Sequence, residues 1–373
     1  MAYGEIKTNA GWFHAVDALL TQGFLGVPLF FVISGFCIHL KWAKQYSETG
    51  KQHIPFVAFW KRRFKRLYPP YLIALCIAML LVFLAYWMGK NVPLVTMYPL
   101  PRPRWMVLDF VAHLFMLHGF YPMFFLGGGD PPFWTLACEE YFYLLYFVLL
   151  AVRRSYGLLT SFIGVLILGP VFVLVMTHVV PADPHWLNLL YHSAIFLWVQ
   201  WVLGMVAVES YFGIIRLPAW LKSIWLVPVW GMLGKVAEMH AALLSPVLFG
   251  LACFTFLNWC VEKEKNRLWK RSALTNWLAR VGVFSYSLYL VHNPVRGIGK
   301  QLLGHFAITN SPVVYLVNVL LLAMAGYFTG KLFFSLVERH FLTDTGFVKE
   351  DSGLPEQQHS PAMELETANL TPQ

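Results

Sequence analysis

Residues 134–152 read WTLACEEYFYLLYFVLLAV and are followed by Arg153 and Arg154. A membrane-spanning helix needs about 20 apolar residues and is commonly flanked by basic ones, so this run predicts such a helix. The run also contains two adjacent carboxylates, Glu139 and Glu140. Because a charge at membrane depth costs about 3 kcal/mol, ionisable residues there usually face a cavity and have a function.

The polar residues of this run fall on one face of the predicted helix. Thr135, Glu139, Tyr143 and Tyr146 recur at i, i+4, i+8 and i+11, which is the spacing of one side of an α-helix. Glu139 either forms an interhelical hydrogen bond that only fixes packing or takes part in chemistry, and the energetic cost of its position favours chemistry. We therefore predict that Glu139 is catalytic and that Thr135 and Tyr143 line the same cavity.

The composition of the whole chain indicates a polytopic membrane protein. Of its 373 residues, 58% are hydrophobic and 13% are charged, whereas soluble proteins carry about 25% charged residues. We expect an all-α bundle of transmembrane helices that spans a lipid bilayer and comprises residues 1–342. Nine spans are expected, at residues 24–40, 69–88, 134–152, 157–178, 186–208, 223–236, 240–261, 275–295 and 312–336. Residues 106–120 are apolar but contain Asp109, His113 and His118, so we expect a re-entrant or interfacial segment there.

The distribution of charge gives the expected orientation. The formal net charge is +9, but the basic residues lie in short loops beside apolar runs, a pattern typical of membrane topology and not of nucleic-acid binding. We expect the side with residues 41–66 and 263–271 to be cytoplasmic, and we expect no nucleic acid as a partner. Residues 343–373 are acidic, polar and poor in aromatic residues, which predicts a disordered cytoplasmic tail.

Residues 61–66 read KRRFKR, with five cations in six positions. Such a cluster either anchors the topology against anionic lipid or binds phosphate groups, because arginine guanidiniums bind phosphate oxygens in pairs. On a helix, Arg66 can share a face with Arg62 or with Arg63. These three arginines are the candidates for binding the phosphates of a cytoplasmic donor.

Two further segments carry polar residues in apolar surroundings. Ser285, Tyr289 and His292 stand at i, i+4 and i+7, and Pro294 is expected to limit their helix. His292 either packs as a neutral ring or transfers protons beside a cavity. Ser34 lies in a run whose small residues are typical of close helix packing, and we expect it to line the cavity together with Ser285 and Tyr289. No metal site is expected, since the histidines of residues 106–120 lack the i, i+4 spacing of a zinc-binding helix.

Taken together, these segments resemble the acyltransferase-3 family of integral membrane proteins, which includes O-acetylases of bacterial surface polysaccharides. The segments occur in the family's order along the chain. The matching residues are GV at 26–27 with LFFVISGF at 29–36, Arg62, Arg63 and Arg66 with Pro69, FWTL at 133–136 with Glu139, Phe142 and Tyr143, and SLYLVHNP at 287–294.

The resemblance implies a ten-helix bundle in the bacterial inner membrane, with acyl-CoA as a cytoplasmic co-substrate and no bound cofactor. It implies transfer of an acyl group, most simply acetyl, to a hydroxyl of a carbohydrate or glycolipid acceptor. Glu139 and His292 would then be catalytic residues in a polar tunnel, with Arg62, Arg63 and Arg66 holding the phosphates of acyl-CoA. The alternative is a polytopic transporter or flippase, which would also need buried carboxylates and histidines.

Family members commonly open with a helix in which an arginine is followed, after ten residues, by a catalytic histidine. Here His14 is the histidine that precedes residues 26–27, and Tyr3 takes the arginine position. Because no apolar helix precedes His14, we expect that the family's first span is missing and that its catalytic histidine would lie upstream of Met1. His14 is the other candidate for the catalytic base.

Overall fold

The computed structural model describes residues 21–50, 54–87, 103–266, 268, 272–304 and 312–342, and these residues form helices and turns without a β-strand. The main helices are α1 (Gly26–Thr49), α2 (Phe56–Trp87), α3 (Pro103–Leu114), α4 (Trp134–Met176), α5 (Pro184–Tyr191), α6 (Ala194–Tyr211), α7 (Leu226–His240), α8 (Ser245–Lys265), α9 (Ala273–Val283), α10 (Ser285–Gly304) and α11 (Pro312–Leu336). Among the short helices, Pro131–Phe133 leads into α4, Ala242–Leu244 leads into α8 and Glu338–Phe341 follows α11. The prediction of an all-α fold is confirmed.

Within the described residues, six helical segments have the length and hydropathy needed to cross a membrane. They are Gly23–Thr49, Phe56–Leu84, Pro131–Met176, Pro184–Tyr211, Ala242–Lys265 and Val313–Leu336. This number is smaller than the nine expected spans because one long segment covers two of them and two others are short or interrupted. Helix α7 has 15 residues, and the span expected at 275–295 is divided between α9 and α10.

Helix α4 contains a sharp reversal at Gly157, whose φ of 82° and ψ of 171° are not helical. Before it, Arg153 contacts Glu209 near the end of α6. After it, Gly169 packs on Phe196 near the start of α6. The chain therefore runs along α6 and back again, so the two spans expected in this region are the two arms of one interrupted helix. This backbone conformation is essentially restricted to glycine.

Helix α2 begins at Phe56, so the basic cluster lies within the helix and not in a loop before it. The expected start at residue 69 is therefore wrong, and Pro69 and Pro70 lie inside the helix. A proline removes one helical hydrogen bond, which a helix tolerates where its neighbours hold it in place. Beside the prolines, the hydroxyl of Tyr286 in α10 donates to the carbonyl oxygen of Leu67 at 2.8 Å. This bond ties α2 to α10.

Helix α10 also continues past a proline, because Pro294 lies inside it. The expectation that Pro294 limits the helix is therefore wrong. Close packing of α10 on α11 on both sides of the proline accounts for the continuation. A Cβ added to Gly330 of α11 would lie 2.8 Å from Leu288, and one added to Gly299 of α10 would lie 2.1 Å from Leu322.

The centre of the bundle is formed by α1, α4 and α6. A Cβ added to Gly35 of α1 would lie 1.9 Å from the carbonyl oxygen of Trp201, and one added to Gly204 of α6 would lie 2.0 Å from that of Val32. Small residues allow helices to approach this closely in a membrane, where van der Waals packing drives their association. Helix α4 completes this core with buried aromatic side chains such as Phe142.

Residues 106–120 do not form a span. Helix α3 has 12 residues, which is too short to cross the hydrocarbon core of a bilayer. The carboxylate of Asp109 accepts a hydrogen bond from the backbone N–H of Gly128 at 2.7 Å and lies 3.1 Å from Nδ1 of His113. The ring of His113 stacks on that of His118, with 3.8 Å between ring centroids. The segment is thus a short helix and turn packed against the loop that precedes α4.

Candidate active site

A cavity of about 870 Å³, which contains polar and charged side chains in a largely apolar lining, lies between α1, α2, α4 and α10. The predicted site residues in its lining are Ser34, Arg63, Arg66, Thr135, Glu139, Tyr143, Ser285, Tyr289 and His292. Arg62 is exposed and is not part of the lining, so Arg63 and Arg66 are the pair that shares the inward face of α2. His14 lies outside the described residues. The chemical roles assigned to these residues stay predictions.

The cavity extends between two ends of the bundle. At one end, which we call the basic end, the starts of α2 and α10 contribute Arg63, Arg66 and Ser285. At the other end, which we call the distal end, the segment before α4 and the middle of α10 contribute Pro132 and Arg296. Cationic side chains are therefore present at both ends, and Ser285 and Arg296, which mark these ends on α10, are eleven positions apart, which corresponds to about 16 Å along the helix.

Glu139 lies between these ends and is held in one orientation. Ser34 Oγ donates a hydrogen bond to Glu139 Oε1 at 2.7 Å, and the hydroxyl of Tyr143 donates to the same oxygen. Trp201 Nε1 in turn donates to Ser34 Oγ at 3.3 Å. Both hydroxyls donate to Oε1, and among the residues that the structure describes no hydrogen bond is made to Oε2.

The two arginines of the basic end keep their hydrogen-bonding capacity. The guanidinium of Arg63 lies 5.9 Å from the ring centroids of Phe59 and Tyr143, a cation–π arrangement that leaves its N–H groups free. In the part of the chain that the structure describes, neither Arg63 nor Arg66 forms a salt bridge. An anionic group entering at this end would therefore find unpaired guanidiniums.

His292 lines the cavity on α10 with a defined tautomer. Its Nδ1 lies 2.7 Å from the backbone oxygen of Tyr289, so Nδ1 carries the proton and Nε2 presents a lone pair. The hydroxyls of Tyr289 and Thr135 hydrogen-bond to each other, and both contact the carbonyl oxygen of Pro132. These contacts fix α10 against the start of α4 and hold the imidazole at the cavity wall.

The distal end contains polar residues that the sequence analysis missed. Arg296 donates a hydrogen bond to Asn293 Oδ1 at 2.5 Å, and both line the cavity. Asp130 is buried beside them, and burial raises the pKa of its carboxyl well above the usual range, which the nearby Asn293 and Arg296 only partly offset. Arg296 could have been predicted from the sequence, because it follows His292 by four residues and therefore lies on the same helix face.

A buried network beside the cavity was also missed. His39 bonds through Nδ1 to the Tyr146 hydroxyl at 2.8 Å and through Nε2 to Glu209 Oε1 at 3.0 Å. Arg153 donates to both oxygens of Glu209 at 2.7 Å and lies 4.4 Å from the ring centroid of Trp42. Tyr146, predicted on the polar face of Glu139, belongs to this network and not to the cavity lining. Its members come from three helices, so no spacing within one segment could have revealed it.

In the described residues, no group of three or more His, Cys, Asp or Glu side chains is arranged so that it could hold a metal ion. The stacked pair of His113 and His118 lies outside the cavity lining. Burial and the neighbouring His113 hold the pKa of His118 well below the usual range, so this ring is neutral at physiological pH.

Comparison with known proteins identifies a family and several relatives of this chain. A family model described as an acyltransferase domain, Acyl_transf_3, matches residues 3–330. The O-acetyltransferase OatA of Staphylococcus aureus (strain COL) is 34% identical over 143 residues, which cover 37% of this chain and 21% of that protein. The acyltransferase MdmB of Streptomyces mycarofaciens is 28% identical over 307 residues, which cover 77% of this chain and 71% of that protein.

The match to OatA thus spans about a fifth of that relative's length, and no solved structure matches this chain. The family match, in contrast, extends over all four segments that carried the resemblance. Several helices of the described residues are long and apolar enough to cross a bilayer, and the relatives are bacterial. The chain therefore belongs to the acyltransferase-3 family and is an integral membrane protein.

Proposed function

We propose that the protein is a membrane O-acyltransferase that moves an acyl group, acetyl in the simplest case, from cytoplasmic acyl-CoA to a hydroxyl of a carbohydrate or glycolipid acceptor. The observation that carries this proposal is one cavity that combines an oriented carboxylate, a histidine whose Nε2 presents a lone pair, and arginines at one end that form no salt bridge within the described residues. The names of the relatives OatA and MdmB support acyl transfer as the reaction class.

The donor enters, in this proposal, at the basic end. Arg63 and Arg66 bind the phosphates of acyl-CoA, because a guanidinium forms paired, charge-assisted hydrogen bonds with phosphate oxygens. The flexible arm of the donor then extends into the cavity and brings its thioester towards Glu139 and His292. The positive-inside rule, which puts the basic end in the cytoplasm, supports this direction of entry.

The acceptor hydroxyl is activated by His292. Nε2 takes the hydroxyl proton while the oxygen attacks the thioester carbonyl carbon, which gives a tetrahedral intermediate. The intermediate collapses, the carbon–sulfur bond breaks, and the departing thiolate of CoA recovers the proton from the imidazolium. General base catalysis of this kind contributes about 10²–10⁴-fold to the rate. Glu139 positions the reacting groups through Oε2, and His14 is the second candidate for the base.

The test uses the purified full chain in lipid nanodiscs, with radiolabelled acetyl-CoA as donor and octyl N-acetyl-β-glucosaminide as acceptor. Substitutions Glu139→Gln, His292→Ala and Arg66→Ala are each expected to lower acetylation at least about tenfold, since each removes a group assigned to chemistry or donor binding. Arg62→Ala is the matched control, because this arginine lies outside the cavity lining.

Formation of the acetyl ester together with free CoA distinguishes an acyltransferase from a transporter or flippase, which would leave the thioester intact. Undiminished acetylation in all three variants would overturn the residue assignment. An intact thioester after prolonged incubation with wild-type protein would overturn the proposed reaction.

A further inference from the structure

A second cavity of about 440 Å³ lies next to the first at the distal end of the bundle. It is lined by the starts of α1, α4, α6 and α8 and by the ends of α5 and α7. Val27 and Trp134 line both cavities, so they form the wall between them. Its volume lies in the range of small-molecule sites, which are mostly apolar with a few placed polar groups.

The polar group that defines this second cavity is Gln200 of α6. Its side chain is 2% exposed, and its Nε2 donates to the carbonyl oxygen of Pro246 at 3.1 Å. That bond fixes the amide and aims Oε1 away from Pro246, and Oε1 is buried without a hydrogen-bond partner. A buried acceptor left unsatisfied costs about 1–3 kcal/mol, so this position favours a ligand that supplies a hydrogen-bond donor.

A second acceptor is provided by His192. Its Nδ1 lies 2.7 Å from the backbone oxygen of Asn188, which places the proton on Nδ1 and leaves a lone pair on Nε2. The imidazole stands edge-on to the ring of Trp134, with 4.9 Å between centroids and an interplanar angle of 90°. The cavity therefore offers two hydrogen-bond acceptors from α6 and the turn before it, which suits a ligand carrying several hydroxyls.

The remaining lining includes several aromatic side chains, and the charged side chain in it is paired. Phe24 and Phe249 meet edge to face with 5.6 Å between their centroids. Glu238 at the rim is paired with Lys235 at 2.7 Å, and Lys235 lies 5.2 Å from the ring centroid of Phe24. The cavity thus combines flat apolar surfaces with acceptors for hydroxyl groups, and it carries no net charge. These properties suit a neutral ring that has apolar faces and hydroxyl groups around its edge.

We propose that this second cavity is the acceptor subsite and binds a neutral, hydroxyl-bearing ring of the carbohydrate class, with Gln200 Oε1 accepting a hydrogen bond from a ring hydroxyl. The inference rests on the proposed function, because it places the acceptor beside the cavity that contains His292. The bound ring then lies against Val27 and Trp134, which also line the cavity that contains His292, and the hydroxyl that reacts belongs to the part of the acceptor that extends from the bound ring into that cavity.

The first test compares Gln200→Met with Thr255→Val in the nanodisc assay with acetyl-CoA and octyl N-acetyl-β-glucosaminide. Methionine keeps the length of the side chain but removes the acceptor oxygen. The KM for the glucosaminide is expected to rise about tenfold while kcat and the KM for acetyl-CoA stay within twofold. Thr255 also has a buried hydroxyl without a partner but lies outside both cavities, so Thr255→Val is expected to leave all three constants unchanged.

The second test fills the subsite from its rim with Ala242→Trp. Acetylation of the glucosaminide is expected to fall at least tenfold, while the Kd for acetyl-CoA, measured by equilibrium dialysis, stays unchanged. Ala242 lines only the second cavity, so a loss confined to the acceptor identifies the subsite.

Three outcomes would overturn the inference. If wild-type protein acetylates the glucosaminide, and Gln200→Met and Ala242→Trp show the same KM for the glucosaminide as wild-type protein, the acceptor binds elsewhere and the proposed function stands. If octan-1-ol competes with the glucosaminide as strongly as octyl glucoside does, the cavity holds an alkyl chain and not a sugar ring. If wild-type protein never cleaves acetyl-CoA, the proposed function fails, and the inference fails with it.

Discussion

Glu139 owes its fixed orientation to hydroxyls from two helices. Ser34 of α1 and Tyr143 of α4 both donate to Oε1, so the carboxylate cannot turn without breaking two hydrogen bonds. Such bonds are stronger in a buried environment than at a surface. A side chain held this firmly can position a substrate, since the rate of an enzymatic reaction falls sharply when the reacting groups are displaced by about 1 Å.

Removing the Tyr143 hydroxyl should therefore impair the reaction without unfolding the protein. Tyr143→Phe keeps the ring, and with it the contact to Arg63, but removes one of the two hydrogen bonds that hold Glu139 in its orientation. We expect kcat to fall about tenfold with little change in the KM for acetyl-CoA. Steady-state kinetics check this, with Tyr141→Phe as the control, because Tyr141 lies on the same helix outside the cavity lining. Equal kcat values for Tyr143→Phe and wild-type protein would contradict the role given to Glu139.

Asp130 at the distal end makes stability depend on pH. Because burial raises the pKa of its carboxyl well above the usual range, the folded protein keeps this proton at pH values where the unfolded chain has lost it. The folded state then binds more protons, so stability decreases as pH rises from about 4 towards the folded pKa. Asp130→Asn removes this dependence, since the amide does not ionise.

Asp130→Asn is therefore expected to have a higher Tm than wild-type protein at pH 8, and the difference should shrink as the pH is lowered to 5. Thermal unfolding in detergent at both pH values measures this. A difference between the two proteins that is the same at pH 5 and pH 8 would show that Asp130 does not carry the effect.

The close approach of α1 and α6 is the contact between elements that most constrains the cavity. A Cβ on Gly204 would meet the backbone oxygen of Val32 at 2.0 Å, so Gly204→Ala must push the two helices apart. Overpacking of this kind costs about 1–3 kcal/mol. We expect Gly204→Ala to lower the Tm by several degrees and to reduce activity, because Ser34 lies on the displaced helix.

Gly164→Ala provides the matched control for this prediction. Gly164 lies in the second arm of α4, and nothing stands within 4 Å of a Cβ added there, so alanine should leave the Tm unchanged or raise it slightly. The prediction is wrong if Gly204→Ala and Gly164→Ala unfold at the same temperature.

The helices differ in how much of their structure could be predicted from the sequence. The face of α4 that carries Thr135, Glu139 and Tyr143 was predictable, because the spacing within one helix determines which side chains share a side. The starts and ends of α2 and α10 were not, because packing against neighbours overrides the local effect of Pro69 and Pro294. The partners of Glu209 could not be predicted at all, since the contact joins three helices that are distant in sequence.

At the scale of the whole molecule, the bundle contains two separate groups of polar side chains. One group is buried and joins three helices, and the other lines the cavity. The network of His39, Arg153 and Glu209 is buried and internally paired, and breaking such a pair usually costs about 3–5 kcal/mol. It joins α1, α4 and α6 on one side of the cavity. Among the described residues, Arg63 and Arg66 form no salt bridge, so the guanidiniums at the basic end can bind a ligand in the cavity.

Cys37 offers a native reporter for that ligand. It is exposed, lines the cavity and is close enough to Arg63 and Arg66 to interact with their charges. If CoA binds these arginines with its phosphates, its arm passes Cys37 and should slow alkylation of the thiol by N-ethylmaleimide at least about fivefold at saturating CoA. Cys76 of α2 is also exposed but lies outside the lining, so its alkylation should not change. Peptide mapping by mass spectrometry measures both rates in one sample, and Arg66→Ala should abolish the protection. Alkylation of Cys37 at the same rate with and without CoA would show that the donor does not occupy this cavity.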